Sequence, residues 1–348
     1  MNKEFKKRYL IPAAMCLLLL VGIGYYYFFT SFTGKSETTY VYIDDNDNYD
    51  SLLTKLKPIA NTHSYHAFCV LARHSNIAKR VHTGRYAVTP STGAFTLFRH
   101  IKGGLQTPVN LTVPSVRTMQ DMAAALGAKL MLDSARLAKV LTDNALLQKY
   151  GYDTTTVAAL FIPNTYDIYW NASPEALLER MQKENKKFWD DERTAKAEKL
   201  KLTPVQVTTL ASIVDEETAN NGEKPMIAGM YYNRLMLRDA EYPEGMPLQA
   251  DPTIKFAWRQ FGLKRIYNKL LHINSPYNTY RFPGLPPGPI RVPSIAGIDA
   301  VLNMVHHNYI YMCAKEDFSG THNFAATYAE HMANARRYAE ALNKRGIK

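Results

Sequence analysis

The chain has 348 residues, 46% of them hydrophobic, which excludes a disordered protein and leaves material for about two domains plus accessories. Forty-two Lys and Arg stand against 31 Asp and Glu, and the net charge of +11 suits an anionic partner without selecting a membrane, a nucleic acid or an acidic polymer. Cys16, Cys69 and Cys313 are too few and too scattered for a disulfide framework, the histidines form no HExxH, and neighbouring His306 and His307 cannot both face one metal from a regular helix, so neither a metal nor a cofactor is expected.

Lys3, Lys6, Lys7 and Arg8 precede an uncharged run over residues 9–33 that meets the requirement of about 20 apolar residues for crossing a bilayer. Asp44, Asp45, Asp47 and Asp50 follow it. The positive-inside rule then places residues 1–8 in the cytoplasm and the body outside, in a single-pass topology. A cleavable signal is the competing reading, but the run is longer than a typical h-region and no small-x-small site follows.

Residues 38–43 read as a strand, 49–56 and 65–72 as helices, 84–88 as extended, 94–101 as a helix and 109–113 as extended. Residues 38–113 thus form one small α/β module. Beyond it, 119–129 and 135–141 are helical, and 161–170 gather the aromatics of FIPNTYDIYW, where Phe161, Tyr166 and Trp170 suit either a sugar floor or a core. An amphipathic helix over 174–189 leads into a Lys-rich stretch reaching Lys201, read as a solvated helix face or connector.

The next helix announces itself with Thr203, Pro204 and Gln206, an N-cap, a proline at the first helical position and a capping-box partner. Val207, Leu210, Ala211, Val214 and Thr218 give one apolar or small face. Three acids follow in ASIVDEET. At about 100° per residue, Glu216 lies opposite that face, Asp215 lies on one flank beside Thr208 and Ala211, and Glu217 lies on the other beside Leu210 and Ile213. Only Glu217 has apolar neighbours on both preceding turns. Apolar surroundings disfavour the charged carboxylate and raise its pKa, which makes Glu217 the candidate general acid. Three ordinary surface acids are the plainer alternative.

Helices are expected over 225–237 and 254–261, with LQADPT between them. Residues 274–294 then pack six prolines and two glycines among Tyr277, Asn278, Tyr280 and Arg281, a stiff loop of a length that is usually functional. A short strand over 309–314, a turn into Thr321, His322, Asn323 and Phe324, and a helix over 328–343 close the chain.

GRYAVTP, FIPNTYDIY, ASIVDEET, YNRL, LQADPT, SPYNTYRFPGLPPGPI and THNF occur in this order. The series resembles the YceG-like endolytic murein transglycosylases, the MltG family, over nearly all of the chain beyond the anchor. The resemblance implies an α+β fold: an N-terminal transmembrane helix (9–33), a small LysM-like α/β module (38–113) and a mixed α+β catalytic domain (114–348) with a mainly helical, Glu-bearing core. It implies a lytic transglycosylase of the cell inner membrane, with the catalytic body in the periplasm. Its expected partners are peptidoglycan glycan strands, the membrane and peptidoglycan synthases. Nucleic acid is excluded, because the body lies outside the cytoplasm and no recognition motif is present.

The family's catalytic acid, the second acid of an acid-x-acid-Thr pattern, corresponds to Glu217. Gln249, Asp251, Asn278, Tyr280, His322 and Asn323 are the candidates for holding sugar hydroxyls and acetamides. The family's first acid is commonly Glu, where this chain has Asp215. Two alternatives stay open at this point: a muramidase-type hydrolase, and a non-catalytic glycan-binding scaffold.

Overall fold

The computed structural model describes residues 3–79 and 81–346, without the side chains of 3–8, 78 and 79, so the basic cluster ahead of the apolar run lies outside the described side chains. The fold is mixed α+β, with three two-stranded sheets among the described residues, and it divides into two compact units. The first comprises Met1–Leu111, Ala128–Leu132 and Tyr166–Ser173, and the second Thr112–Gly127, Asp133–Thr165 and Pro174–Lys348.

The first unit begins with helix α1 (Lys3–Phe29), whose 21-residue segment Tyr9–Phe29 is apolar and unburied. At 1.5 Å per residue it is about 30 Å long, the thickness of a bilayer's hydrocarbon core. The helix stops four residues before the end expected from composition. Ser31 bridges to Gly93, Phe32 is fully buried against Phe68, and its amide donates to Thr92 O at 2.7 Å. Phe32 and Thr33 therefore belong to a protein core. Hydropathy alone cannot tell the two apolar environments apart.

Strand β1 (Thr39–Ile43), helices α2 (Tyr49–Leu56) and α3 (Thr62–Arg73) and strand β2 (Gly84–Val88) follow, then α4 (Ala94–Gly103). β1 and β2 pair antiparallel from Thr39↔Val88 to Ile43↔Gly84. The two-residue period turns Val41, Ile43, Tyr86 and Val88 inward onto Leu52, Leu56, Phe68, Leu97 and Ile101, and Tyr40, Tyr42 and Arg85 outward. Asn48 starts α2 through a capping box with Ser51, and Gly104, at φ 66°, ends α4 in the left-handed conformation. Strand β3 (Val109–Thr112) pairs with β4 (Thr165–Ile168). This pairing, with Met131 N donating to Trp170 O at 2.8 Å, places residues 128–132 and 166–173 in the first unit, although a linear reading assigns them to the second.

The second unit contains α5 (Met119–Gly127), α6 (Ser134–Val140), α7 (Asn144–Leu147), α8 (Pro174–Phe188), α9 (Asp191–Lys199), α10 (Pro204–Glu217), α11 (Lys224–Met236), α12 (Asp251–Ala257), α13 (Ile295–Leu302), the hairpin β5 (Tyr311–Ala314) and β6 (His322–Ala325), and α14 (Tyr328–Lys344). Its core surrounds α10, which packs against α11, α12 and α13. α10 starts at the Thr203 capping box as expected, but it is buried on every side from Val207 to Val214 and not on one face only. Thr208 and Thr209 make this possible by donating to the carbonyls of Pro204 and Val205, each at 2.8 Å, so their hydroxyls need no water.

Other elements depart from the sequence reading, among them α7 and β4, which it did not include. α12 begins at Asp251, three residues early, with Pro252 in its first turn, and ends at Ala257. The segment around His322 is a strand in register with β5. α13 was not expected at all, since its start at Ser294 merges with the proline-rich stretch before it. Within α13, a Cβ on Gly297 would lie 2.6 Å from Asp215 Oδ1. Gly297→Ala in a helix interior would ordinarily stabilise by up to about 1 kcal/mol. Here we expect a loss of about 1–3 kcal/mol from overpacking, read as a lower midpoint in denaturant unfolding of the full chain in detergent.

Candidate active site

Three consecutive acids leave the C-terminal turn of α10 into three different environments. Asp215 meets Lys224 Nζ at 2.7 Å, with 4% and 7% of the two side chains exposed, and it accepts from Ser294 N at 2.5 Å and Ser294 Oγ at 3.0 Å. It thereby joins the end of α10 to the starts of α11 and α13. Glu216 takes Arg117 in a two-pronged contact, Nε to Oε1 and Nη2 to Oε2 at 2.8 Å each, and Arg291 Nη1 at 2.9 Å. Arg117 is held above its ordinary pKa mainly by this bond. Neither acid is an ordinary surface acid.

Among the described residues, no cation forms an ion pair with Glu217. Its Oε1 accepts from Tyr231 Oη at 2.5 Å, and Tyr231, on α11, is 1% exposed. Part of the Glu217 residue stays open to solvent, while protein is dense around its carboxyl. Burial is the largest influence and raises the carboxyl from 4.5 to about 7; the Tyr231 hydrogen bond opposes it, Asp251 adds to it, and Lys255 and Arg234 pull the other way. The carboxylate also sits at the negative end of the α10 dipole, which disfavours its charge further. With Tyr231 donating to Oε1, the transferable proton of the neutral acid resides on Oε2.

Arg234 follows Tyr231 by three residues on the same face of α11. It is 7% exposed and donates to Ile310 O at 2.5 Å and Leu248 O at 2.7 Å, and burial lowers its pKa. Leu248 opens the LQADPT loop, which is clipped to the proline-rich loop through Thr279: Gln249 N donates to Thr279 O at 3.0 Å, Ala250 N to Thr279 Oγ1 at 3.1 Å, and Thr253 and Thr279 hydroxyls meet at 2.8 Å. This clip holds Gln249 at φ 51°, a left-handed conformation uncommon for a residue with a side chain, and leaves that side chain exposed. Asp251 is also exposed and accepts from Tyr280 Oη at 2.5 Å, with burial first and then Asp251 pushing the Tyr280 phenol far up.

The fold thus gathers Glu217, Asp251 and Tyr280 in one electrostatic neighbourhood, with Gln249 beside them. Asn278 takes another place: it is fully buried, its amide donates to Leu271 O at 2.8 Å and Ile273 O at 2.9 Å, and its Oδ1 accepts from Tyr280 N. It shapes the loop and cannot meet a sugar, because no surface of it is open. His322 and Asn323 lie on β6. Buried Glu223 accepts from His322 N at 2.6 Å and lies 3.1 Å from its Nδ1, and Asn323 donates to Glu316 at 2.7 Å. Sequence reasoning missed Tyr231, Arg234 and Lys255 as site residues. The available signals were the i,i+3 spacing of Tyr231 and Arg234 and the i,i+4 spacing of Asp251 and Lys255, each of which puts two polar groups on one helical face.

The model of the YceG-like family matches residues 41–337. A Bacillus subtilis protein named endolytic murein transglycosylase is 28% identical over 250 residues, covering 68% of this chain and 66% of the relative. A Streptococcus pneumoniae protein of the same name is 27% identical over 303 residues, covering 78% of this chain and 53% of the relative. The chain therefore spans just under two thirds of the first relative and about half of the second. The crystal structure of a YceG-like protein from Listeria monocytogenes aligns with a TM-score of 0.54 at 25% identity, over 86% of this chain and 99% of that one.

Two measurements follow from the site's electrostatics. Because Glu217 has a folded pKa of about 7 against an ordinary 4.5, its contribution to stability is fully present below pH 4.5 and is lost as pH rises through 7. Glu217→Gln removes that loss, so its stability relative to the parent should be about 1–3 kcal/mol greater at pH 8 than at pH 4 in denaturant titrations. Tyr231→Phe removes the hydrogen bond that holds the carboxyl down, so the Glu217 titration followed by carboxyl-labelled NMR should move above pH 7.

Proposed function

The chain belongs to the YceG-like family, and from that premise we propose that it is a membrane-anchored lytic transglycosylase acting on peptidoglycan glycan strands. The observation that carries the proposal is a single carboxyl, Glu217, raised to about 7 by burial and oriented by Tyr231, in a chain whose relatives are named endolytic murein transglycosylases. A carboxyl with that pKa is partly protonated at neutral pH and can both give and take a proton.

Glu217 protonates the oxygen of the β-1,4 bond between N-acetylmuramic acid and N-acetylglucosamine, and the bond from that oxygen to the anomeric carbon breaks. The C6 hydroxyl of the same muramic residue closes on the anomeric carbon, and its proton returns to the Glu217 carboxylate. The product is a 1,6-anhydro end, formed without water, and the acid is regenerated. Tyr231 keeps its bond to Oε1 through both transfers, so Oε2 is the atom that exchanges the proton. The electrostatic influence that Asp251 and Tyr280 exchange with Glu217, and the exposure of Gln249 next to Asp251, support their reading as substrate contacts. His322 and Asn323 remain candidates on the neighbouring hairpin, with Glu223 fixing the His322 ring.

The same reading extends to the rest of the chain. α1 anchors the protein in the inner membrane with residues 1–8 in the cytoplasm and the body in the periplasm, supported by the length and apolar composition of Tyr9–Phe29, none of which is buried. The order β1-α2-α3-β2, with its antiparallel pair, supports a LysM-like module. Cleavage of nascent strands beside peptidoglycan synthases would end their elongation. A muramidase-type hydrolase would instead need a second carboxylate to activate water or the anomeric carbon, a role for which exposed Asp251, which acts electrostatically on Glu217, is the candidate.

The test is mass spectrometry of products released from purified peptidoglycan. We expect anhydromuramyl ends from the parent and a loss of at least about 10³-fold in Glu217→Gln, in line with removal of a general acid. Asp251→Asn should still yield anhydro ends, and reducing ends lost in that variant would convert the reading to a hydrolase. Since Glu217 must start protonated, kcat/KM should fall as pH rises through about 7, and Tyr231→Phe should move that limb to higher pH.

A further inference from the structure

The outer face of the β1/β2 ladder has the wrong chemistry for a merely solvated surface. The two-residue period puts Tyr40, Tyr42 and Arg85 there, where a half-buried antiparallel sheet ordinarily carries small polar side chains. Tyr40 and Tyr42 stay 39% and 42% exposed. They form one side of a cleft of about 780 Å³ within the first unit, closed by Asn110, Lys129 and Trp170. That volume is in the range of sites that hold small ligands.

Two features organise the cleft. Trp170 meets Tyr42 edge to face, with ring centroids 5.0 Å apart at 69°, so the two rings make a fixed corner and not a flat patch. Arg85 is the direct cross-strand partner of Tyr42, and its guanidinium lies 3.5 Å over the ring of Tyr40 while donating to Pro108 O. Stacking fixes the guanidinium in place. Its Nε is nevertheless buried without a hydrogen-bond partner among the described residues. Lys129 is exposed on the opposite wall, and no acid is among the residues that line the cleft.

We propose that this cleft is a binding site for a carboxylate-bearing saccharide, the apolar face of one sugar ring on the Tyr42–Trp170 corner and its carboxylate between Arg85 and Lys129. The carboxylate answers the acid-free, doubly cationic lining, and Asn110 offers an amide to a hydroxyl or acetamide. This inference rests on the reading of peptidoglycan as substrate, since muramic residues and their stem peptides supply such carboxylates. The site would hold a strand on the first unit independently of the chemistry at Glu217.

The test uses the full chain in detergent, with Glu217→Gln to stop turnover and 5-fluorotryptophan at its three tryptophans. N-acetylmuramoyl-L-alanyl-D-isoglutamine is the charged probe and N,N′-diacetylchitobiose the neutral one, and Trp170→Phe assigns the reporting ¹⁹F signal. We expect saturable movement of the Trp170 signal with the charged probe and at least about tenfold weaker binding of the neutral one. Lys129→Gln, a change at an exposed residue, should weaken the charged probe about tenfold and leave the neutral probe unaffected. Tyr42→Ala should weaken both.

A silent Trp170 signal would overturn the proposal, as would equal affinity for both probes or insensitivity to Lys129→Gln. Anhydro products are measured separately on the Glu217 parent. Their absence together with Trp170 binding would remove the catalytic reading and leave the cleft, and their presence with Trp170 silent would remove the cleft alone.

Discussion

Lys224 and Asp215 meet at 2.7 Å with less than a tenth of either side chain exposed, and the geometry of the second unit's site depends on that contact. Alone, such a pair contributes little to stability, because desolvating two charges cancels much of their attraction. Its value here is positional. Asp215 spends its remaining acceptor capacity on the backbone and hydroxyl of Ser294, so one carboxylate locks the end of α10 to the first turns of α11 and α13. Seven residues on from Lys224, two helical turns along the same face of α11, stands Tyr231. The lock therefore sets where the Tyr231 hydroxyl arrives, and it arrives at Glu217. A glutamate at position 215, one methylene longer, would have to reposition these partners, and the space beside the carboxylate is already so tight that a Cβ on Gly297 would lie 2.6–2.9 Å from it.

The three acids show how one short helical turn can separate roles through surroundings alone. Asp215 and Glu216 are neutralised by Lys224 and by Arg117 with Arg291, and both serve as fasteners. Glu217 is desolvated, with no ion pair among the described residues, and its pKa rises. Tyr231 sets an upper bound on that rise, because its hydrogen bond is stronger to the carboxylate than to the acid. The outcome near 7 is a balance of burial against one hydrogen bond. A much drier site would trap the proton, and a more polar one would ionise the group.

Around this carboxyl the loops are stiff by construction. Thr279 bonds the LQADPT loop at three points, and Asn278 pins its own loop to Leu271 and Ile273. The left-handed backbone of Gln249 persists because these bonds over-determine it. Prolines in the 274–294 segment lower the entropy that a ligand would otherwise have to remove. Rigid loops beside a single poised acid suit a reaction in which the substrate supplies its own nucleophile and only positioning remains for the protein.

Local grammar was legible in the sequence. The Thr203 capping box, the helix periods of α2, α4, α8 and α14, the alternation in β1 and β2 and the length of the apolar run all depend on neighbours within a few residues, and the structure has them. The flank position of Glu217 was legible for the same reason, since the helical wheel is a local property. What only the tertiary structure decided depends on partners far along the chain. Arg117 reaches Glu216 across 99 positions and Ser294 reaches Asp215 across 79. Asn278 reads as a sugar ligand until packing buries it. α13 hides behind prolines, Phe32 reads as lipid-facing until it meets Phe68, and residues 128–132 and 166–173 join the first unit through strand pairing. Periodicity records which face of an element is apolar; which other element covers it follows from packing and ion pairing between segments that no local window contains.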